Sequence, residues 1–122
     1  MLSRGGVAGG REYITRPKEY TLVYARGGTW NGGLLVVRAL PNGLPVFRCG
    51  FSVSKRVGKA VIRNKVKRRF REIMRQLPVK SGWDIVLIAR PVVATADYAS
   101  IRKAVEELLA RARLLETTCP IP

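Results

Sequence analysis

The chain reads as a single α+β domain, and three observations carry that expectation. In residues 47–54, Phe47, Cys49, Phe51 and Val53 alternate with Arg48, Gly50, Ser52 and Ser54, the two-residue period of a half-buried strand. Residues 83–89, WDIVLIA, are almost wholly apolar after Asp84, as a strand covered on both faces must be. Between these segments, apolar side chains recur at helical spacing. Strand, helix and strand in that order form a βαβ unit, which normally makes the two strands parallel. A length of 122 residues suits one domain.

The elements follow in order. Residues 1–12 are Gly-rich and read as a disordered tail, and the folded domain is expected over residues 13–115. PKEYTLVYAR, residues 17–26, is a short helix: Pro17 suits its first turn and Gly27-Gly28 stops it. Tyr20, Val23, Tyr24 and Tyr13 are placed on related faces. Residues 34–40 form a strand of Leu, Val and Ala, and PNGLP at 41–45 is a turn cluster. With 47–54 as the next strand, the two are expected to pair as a hairpin. A basic helix follows over roughly residues 59–76, closed by Leu77-Pro78 and Ser81-Gly82. After the strand at 83–89, Thr95 or Asp97 caps a last helix running to about Leu115. Its apolar face is Tyr98, Ile101, Val105, Leu108, Leu109 and Ala112. Residues 116–122 read as a loose tail, and there is no internal repeat. The expected order is α-β-β-α-β-α around a small mixed sheet with helices.

The helix at 59–76 carries the strongest chemical signal. The surrounding segment 55–75 reads KRVGKAVIRNKVKRRFREIMR, with Glu72 its single acid. On a helical wheel, Ile62, Val66, Phe70, Ile73 and Leu77 fall within an arc of about 80°. Arg63, Asn64, Lys67, Arg68, Arg71 and Arg75 fill a separate arc of about 140°. One face packs on a core, and the other is a fixed array of cations with one amide inside it. A solvated face or a nuclear-import signal would also be basic, but Asn64 among the cations argues for contact beyond bulk charge. Guanidiniums bind phosphate bidentately and stay charged. The whole chain agrees: 23 basic residues against 8 acidic give a net charge of +15 and a pI of about 11.1, within the range of nucleic-acid binders.

Other functions are excluded by what is missing. The chain has no histidine, so the usual general base and every Ser–His or Cys–His arrangement are absent. The acids are scattered except Glu106 and Glu107, which as helix neighbours point apart. No catalytic residue and no protein-bound metal is therefore expected. Gly58-Lys59 is not a phosphate loop: Val53 stands where a glycine is needed, and Ala60 where Ser or Thr is needed. Ser52 and Ser54 lack a base and read as strand-face hydroxyls able to bond a nucleic-acid backbone. Tyr20 and Tyr24, at i and i+4, fit simple packing on the sheet; the functional alternative is a stacking platform for unpaired bases. No apolar run approaches a membrane span. With only Cys49 and Cys119, a reduced, cytoplasmic protein is the simpler reading.

The segment FSVSKRVGKAVIRNKVKRRFRE closely resembles the signature of the bacterial ribonuclease P protein subunit. That family shows a strand ending in Ser and basic residues, a V-G-x-A-V turn, and R-N-x-x-K-R-x-x-R on a helix. Here these are Val57, Gly58, Ala60 and Val61, then Arg63, Asn64, Lys67, Arg68 and Arg71. The outline also agrees across residues 15–115, with a short aromatic helix before Gly27 and W-D-I-V-L-I-A-R after the basic helix. The pattern is departed from in three places. Lys65 follows Asn64 where Arg is usual, Tyr20 and Tyr24 stand where Phe is common, and the first strand ends with Val36, Val37 and Arg38 rather than an aromatic.

The resemblance implies a fold like that of ribosomal protein S5 domain 2, with a left-handed βαβ crossover, although generic topology favours the right-handed form. It implies a protein that joins a catalytic RNA subunit, one protein per RNA, in removing the 5′ leader of precursor tRNA. The RNA is the catalyst and uses Mg²⁺. Lys55, Arg56, Lys59, Arg63, Asn64, Lys65, Lys67, Arg68, Arg71 and Arg75 would contact the RNA subunit. Tyr20, Tyr24, Arg38 and Ser52 would line a cleft for the single-stranded leader. Composition alone does not separate this from a ribosomal or other structural RNA-binding protein. A stand-alone nuclease would need carboxylates gathered at one metal site, which the spacing does not supply.

Overall fold

The computed structural model describes residues 11–14 and 16–116. In chain order its elements are β1 (Arg11–Tyr13), α1 (Pro17–Arg26), β2 (Gly28–Asn31), β3 (Leu35–Pro41), β4 (Phe47–Ser52), α2 (Ala60–Gln76), β5 (Trp83–Ala89), a 3-10 turn (Pro91–Thr95) and α3 (Tyr98–Arg111). The strands form one sheet in the order β1-β4-β5-β3-β2. The architecture is α+β, with three helices on a mixed sheet. β5, the strand expected to be covered on both faces, sits at the centre, and Ile85, Val86 and Leu87 are completely buried. It runs parallel to β4, from Arg48 opposite Asp84 to Ser52 opposite Ile88, as the βαβ reading requires.

The expected hairpin between the strands at 34–40 and 47–54 does not form. β3 pairs with β5 and β2, and β5 lies between β3 and β4. The turn cluster does reverse the chain, but its connection arches over the start of β5. Asn42 N–H donates to the Gly82 carbonyl at 2.9 Å, and Gly82 N–H to that of Val46 at 3.0 Å. An all-apolar strand gains most from the central position, where both faces and both edges are covered. A turn signal reports reversal of direction, not adjacency.

Two short edge strands escaped the sequence pattern. β2 is four residues of a Gly-containing segment, and β1 is three, too short to show a period. Residues 11 and 12 are thus in the sheet rather than in the expected tail. α3 begins at its Asp97 cap, whose Oδ1 accepts from Ser100 N–H at 3.0 Å, but it ends at Arg111 rather than near Leu115. There Arg113 turns left-handed at φ 61°, burying Leu114 and letting Leu115 bridge to Val79. Residues 1–10 and 117–122, including Cys119, lie outside the described residues.

The two faces of the sheet differ, and that difference makes the site. On one face, Leu35, Val37, Ala39, Ile85 and Leu87 meet Val66, Phe70, Ile73 and Met74 of α2 and Ile101, Val105, Leu108 and Leu109 of α3. Each of these side chains larger than alanine, fully buried, stabilises the fold by about 1.5–3 kcal/mol. Ile62, expected on this apolar stripe, instead remains 37% exposed in the first turn of α2, and Met74 takes its place nearer the C-terminus. Among the described residues, α1 is the one helix on the other face. It buries Val23 against Ile14 and Val86, flanked by Tyr20, Leu40 and Ile88. A ten-residue helix cannot cover five strands, so the described residues leave part of this face open.

Candidate nucleic-acid interface

The basic helix forms where expected, within a residue of its predicted start and ending at Gln76. Packing of Val66, Phe70, Ile73 and Met74 fixes its rotation and turns the opposite side outward. Asn64, Lys65, Arg68 and Arg75 are exposed there, as are Lys55, Arg56 and Lys59 in the turn that precedes it. The ion pairs formed among the described residues both involve Arg48, which lies on β4. No cation of α2 forms an ion pair among the described residues, and only Arg69, off the outward array, lies in the field of Asp97, which leaves an array suited to a polyanion.

Not every predicted cation is equally free. Arg63 Nε donates to the Gly58 carbonyl at 3.1 Å, tying the first turn of α2 to the loop before it. Gly58 has φ 153°, and a Cβ there would approach the Ile62 side chain to 3.0 Å, so this turn demands glycine. Lys67 is half-buried. Arg71 is exposed, with its guanidinium 5.9 Å from the ring centre of Tyr13 and 6.0 Å from that of Phe51. Arg69 points elsewhere, donating to the Ala96 carbonyl at 3.2 Å, in keeping with its place off the cationic arc.

Across the sheet, the predicted cleft residues do share one face. Register places Arg38, Val86 and Gly50 side by side on β3, β5 and β4, with Val36, Ile88 and Ser52 in the next row. Tyr20 descends from α1 onto Gly50, where a Cβ would lie 2.5 Å from its hydroxyl oxygen. The glycine on this alternating strand is what admits the ring. Burial raises the Tyr20 pKa above the usual phenol value, opposed by a hydrogen bond from the Phe51 backbone to its hydroxyl. Tyr24 is 40% exposed, with its ring centre 6.4 Å from that of Tyr20. The Arg38 guanidinium sits 5.8 Å from the Tyr24 ring centre and donates through Nη2 to the Tyr24 carbonyl. Ser52 is half-buried beside Ile88. The result is a partly open floor bordered by an exposed aromatic ring and a fixed cation.

Three residues carry more than their sequence context indicated. Arg48 donates from Nε and Nη2 to Asp84 and from Nη1 to Glu19, joining β4, β5 and α1. Glu19 also accepts from the Arg16 backbone at the start of α1. Asp84 is the one buried charged or polar side chain among the described residues. Its place inside an apolar run was the signal that it needed a partner. Arg90 donates through Nε to the Gly32 carbonyl at 2.7 Å, holding the end of the β2–β3 hairpin. Tyr13, expected on a face related to that of Tyr20, instead lies on the α2 side of the sheet against Phe51. Among the described residues no three carboxylates or thiols gather where a metal ion would be held, and no helix is long and apolar enough to cross a membrane.

This arrangement has relatives. The Ribonuclease P family model matches residues 10–113. A ribonuclease P protein component from Dehalococcoides mccartyi is 48% identical over 105 residues, covering 86% of this chain and 88% of the relative. One from Roseiflexus castenholzii is 42% identical, covering 87% and 90%. Among solved structures, the ribonuclease P protein from Thermotoga maritima superimposes with a TM-score of 0.76 at 32% identity, covering 83% of this chain and 97% of that one.

Proposed function

The chain belongs to the bacterial ribonuclease P protein family, and on that premise we propose that it serves two RNAs from two faces. Membership makes it a subunit of an endoribonuclease of tRNA processing, with an RNA subunit as partner. In the proposal, α2 and the turn before it bind the RNA subunit. The partly open face beside α1 takes the single-stranded 5′ leader of precursor tRNA. The observation that carries this reading is the pairing of a cationic helix that forms no ion pair among the described residues with a separate aromatic and cationic floor across the sheet.

The chemistry suits the division. Backbone contacts by Arg68, Arg75 and Lys65 neutralise phosphate without reading sequence. Exposed Tyr24, with Arg38 beside it, offers a ring to an unpaired base and a charge to its phosphate. Ser52 adds a hydroxyl on the same floor. Asn64 gives one directed hydrogen bond among the cations. Leader removal is a Mg²⁺-dependent phosphodiester hydrolysis whose ion and catalytic groups belong to the RNA. The protein binds, orients and lowers charge repulsion between two polyanions. One protein per RNA, acting in the cytoplasm, completes the proposal.

Affinity capture tests it. The tagged protein should enrich one tRNA-processing RNA and precursor tRNAs from the cell. Enrichment of ribosomal RNA instead would assign the chain a structural role and contradict the reading.

A further inference from the structure

We propose that Tyr13 and Arg71 form a second stacking site, one that takes an unpaired nucleotide of the RNA subunit rather than the leader. The inference rests on the reading of α2 as the face toward that RNA. Tyr13 ends the edge strand β1 and is 43% exposed, yet its ring is not adrift. It leans on Phe51, with ring centres 6.2 Å apart, and Phe51 in turn leans on buried Phe70 at 6.1 Å. The Arg71 guanidinium lies against both Tyr13 and Phe51. A ladder of rings thus runs from the core to the surface and ends in an exposed tyrosine with a fixed cation at its side. A base stacked on Tyr13 would place its phosphate within the field of Arg71 and its α2 neighbours Arg68 and Arg75. The location decides which RNA is bound. Tyr13 is on the α2 side of the sheet, whereas Tyr20, Tyr24 and Arg38 are on the α1 side.

The experiment uses the full chain and the transcribed RNA subunit. Tyr13→Leu, Tyr13→Ile, Tyr13→Phe and Arg68→Ala are titrated against that RNA across a salt series. Each is then tested, as saturated holoenzyme, on precursor tRNA with and without its leader. Loss of one base stack should weaken RNA-subunit binding by Tyr13→Leu about 5- to 150-fold. Tyr13→Ile, which suits an edge strand, should repeat that loss. Tyr13→Phe, which keeps the ring, should stay within about twofold. The salt slope should not change, because stacking releases no counterion. Discrimination for the leader should also be unchanged. Parent-like binding by folded Tyr13→Leu and Tyr13→Ile would overturn the proposal. So would a slope flattened by about 0.7–0.9, since the effect would then run through Arg71 and a phosphate. A loss confined to leader-bearing precursor would overturn it as well. If Arg68→Ala also binds the RNA subunit like the parent, the reading of α2 fails, and not the Tyr13 site alone.

Discussion

Arg48 grips Asp84 through two side-by-side hydrogen bonds, Nε to Oδ1 at 2.8 Å and Nη2 to Oδ2 at 2.6 Å, across directly opposed positions of β4 and β5. The fork matches the carboxylate, and the third donor, Nη1, reaches Glu19 on α1 at 2.6 Å. These bonds hold the Arg48 guanidinium charged, with its pKa raised above the usual arginine value chiefly by the Asp84 bond. Because α1 buries little apolar surface, this polar link helps set where the helix lies over the sheet.

Asp84→Ala should therefore be costly. Removing one partner of a buried pair costs about 3–5 kcal/mol, and the lower end applies because Glu19 still answers Arg48. Chemical denaturation of the purified protein measures it. A loss below about 1 kcal/mol, the scale of a surface pair, would show that the link is not structural. In the folded fraction, leader binding should suffer more than RNA-subunit binding, since Arg48, the anchor of Glu19 on α1, loses the carboxylate that fixes it.

Tyr20 gives a pH prediction. Its pKa is raised in the folded state by burial, so the folded protein holds the hydroxyl proton more tightly than the unfolded chain does. Its contribution is complete below the unfolded phenol value of about 10 and declines as pH rises through the higher folded value. Thermal melts should show Tyr20→Phe losing less stability than the parent as pH rises above about 10. Parallel decline in the two proteins would mean that the ring is not buried against Gly50 as described.

The division of labour predicts a Mg²⁺ dependence. Protein free of RNA should leave precursor tRNA intact. Adding it to the RNA subunit should lower the Mg²⁺ concentration required for cleavage, most strongly at low salt, where screening is weakest. Cleavage by protein alone, RNA alone and the two together, across a Mg²⁺ series, tests this. Specific cleavage by the RNA-free protein would refute it.

Much of this arrangement was legible in the residues. The alternation at Phe47–Ser52 and the apolar run at Trp83–Ala89 located two strands and their parallel pairing. Helical spacing separated the packed and cationic sides of α2, even excluding Arg69. Adjacency in the sheet was not legible, because a reversal at residues 41–45 says nothing about which strand slips between its neighbours. Short strands such as Arg11–Tyr13 have no room for a period, so nothing in the sequence reveals that Tyr13 lies on the face of Phe51 and not on that of Tyr20. The Arg48–Asp84 pair was hidden for another reason: its members are 36 residues apart, and only the sheet register sets them opposite each other. Gly50 shows in the sequence only as an outward-facing position, and it is the fold that sets Tyr20 in the space above it.

The central claim, that two faces serve two RNAs, is tested most directly by one paired binding measurement. Holoenzyme and free-protein affinities are determined for Tyr24→Ala and Arg68→Ala against three RNAs: the RNA subunit, precursor tRNA with its leader, and mature tRNA. Tyr24→Ala should weaken leader-bearing precursor by about 1–3 kcal/mol, leaving mature tRNA and the RNA subunit nearly unchanged. Arg68→Ala should weaken RNA-subunit binding and flatten its salt slope by about 0.7–0.9, while the preference for the leader survives. Arg69→Ala, whose guanidinium holds the Ala96 carbonyl, should lose stability with no change in slope. Equal losses for all three RNAs in both Tyr24→Ala and Arg68→Ala would contradict the claim, since a single undivided surface would then bind everything.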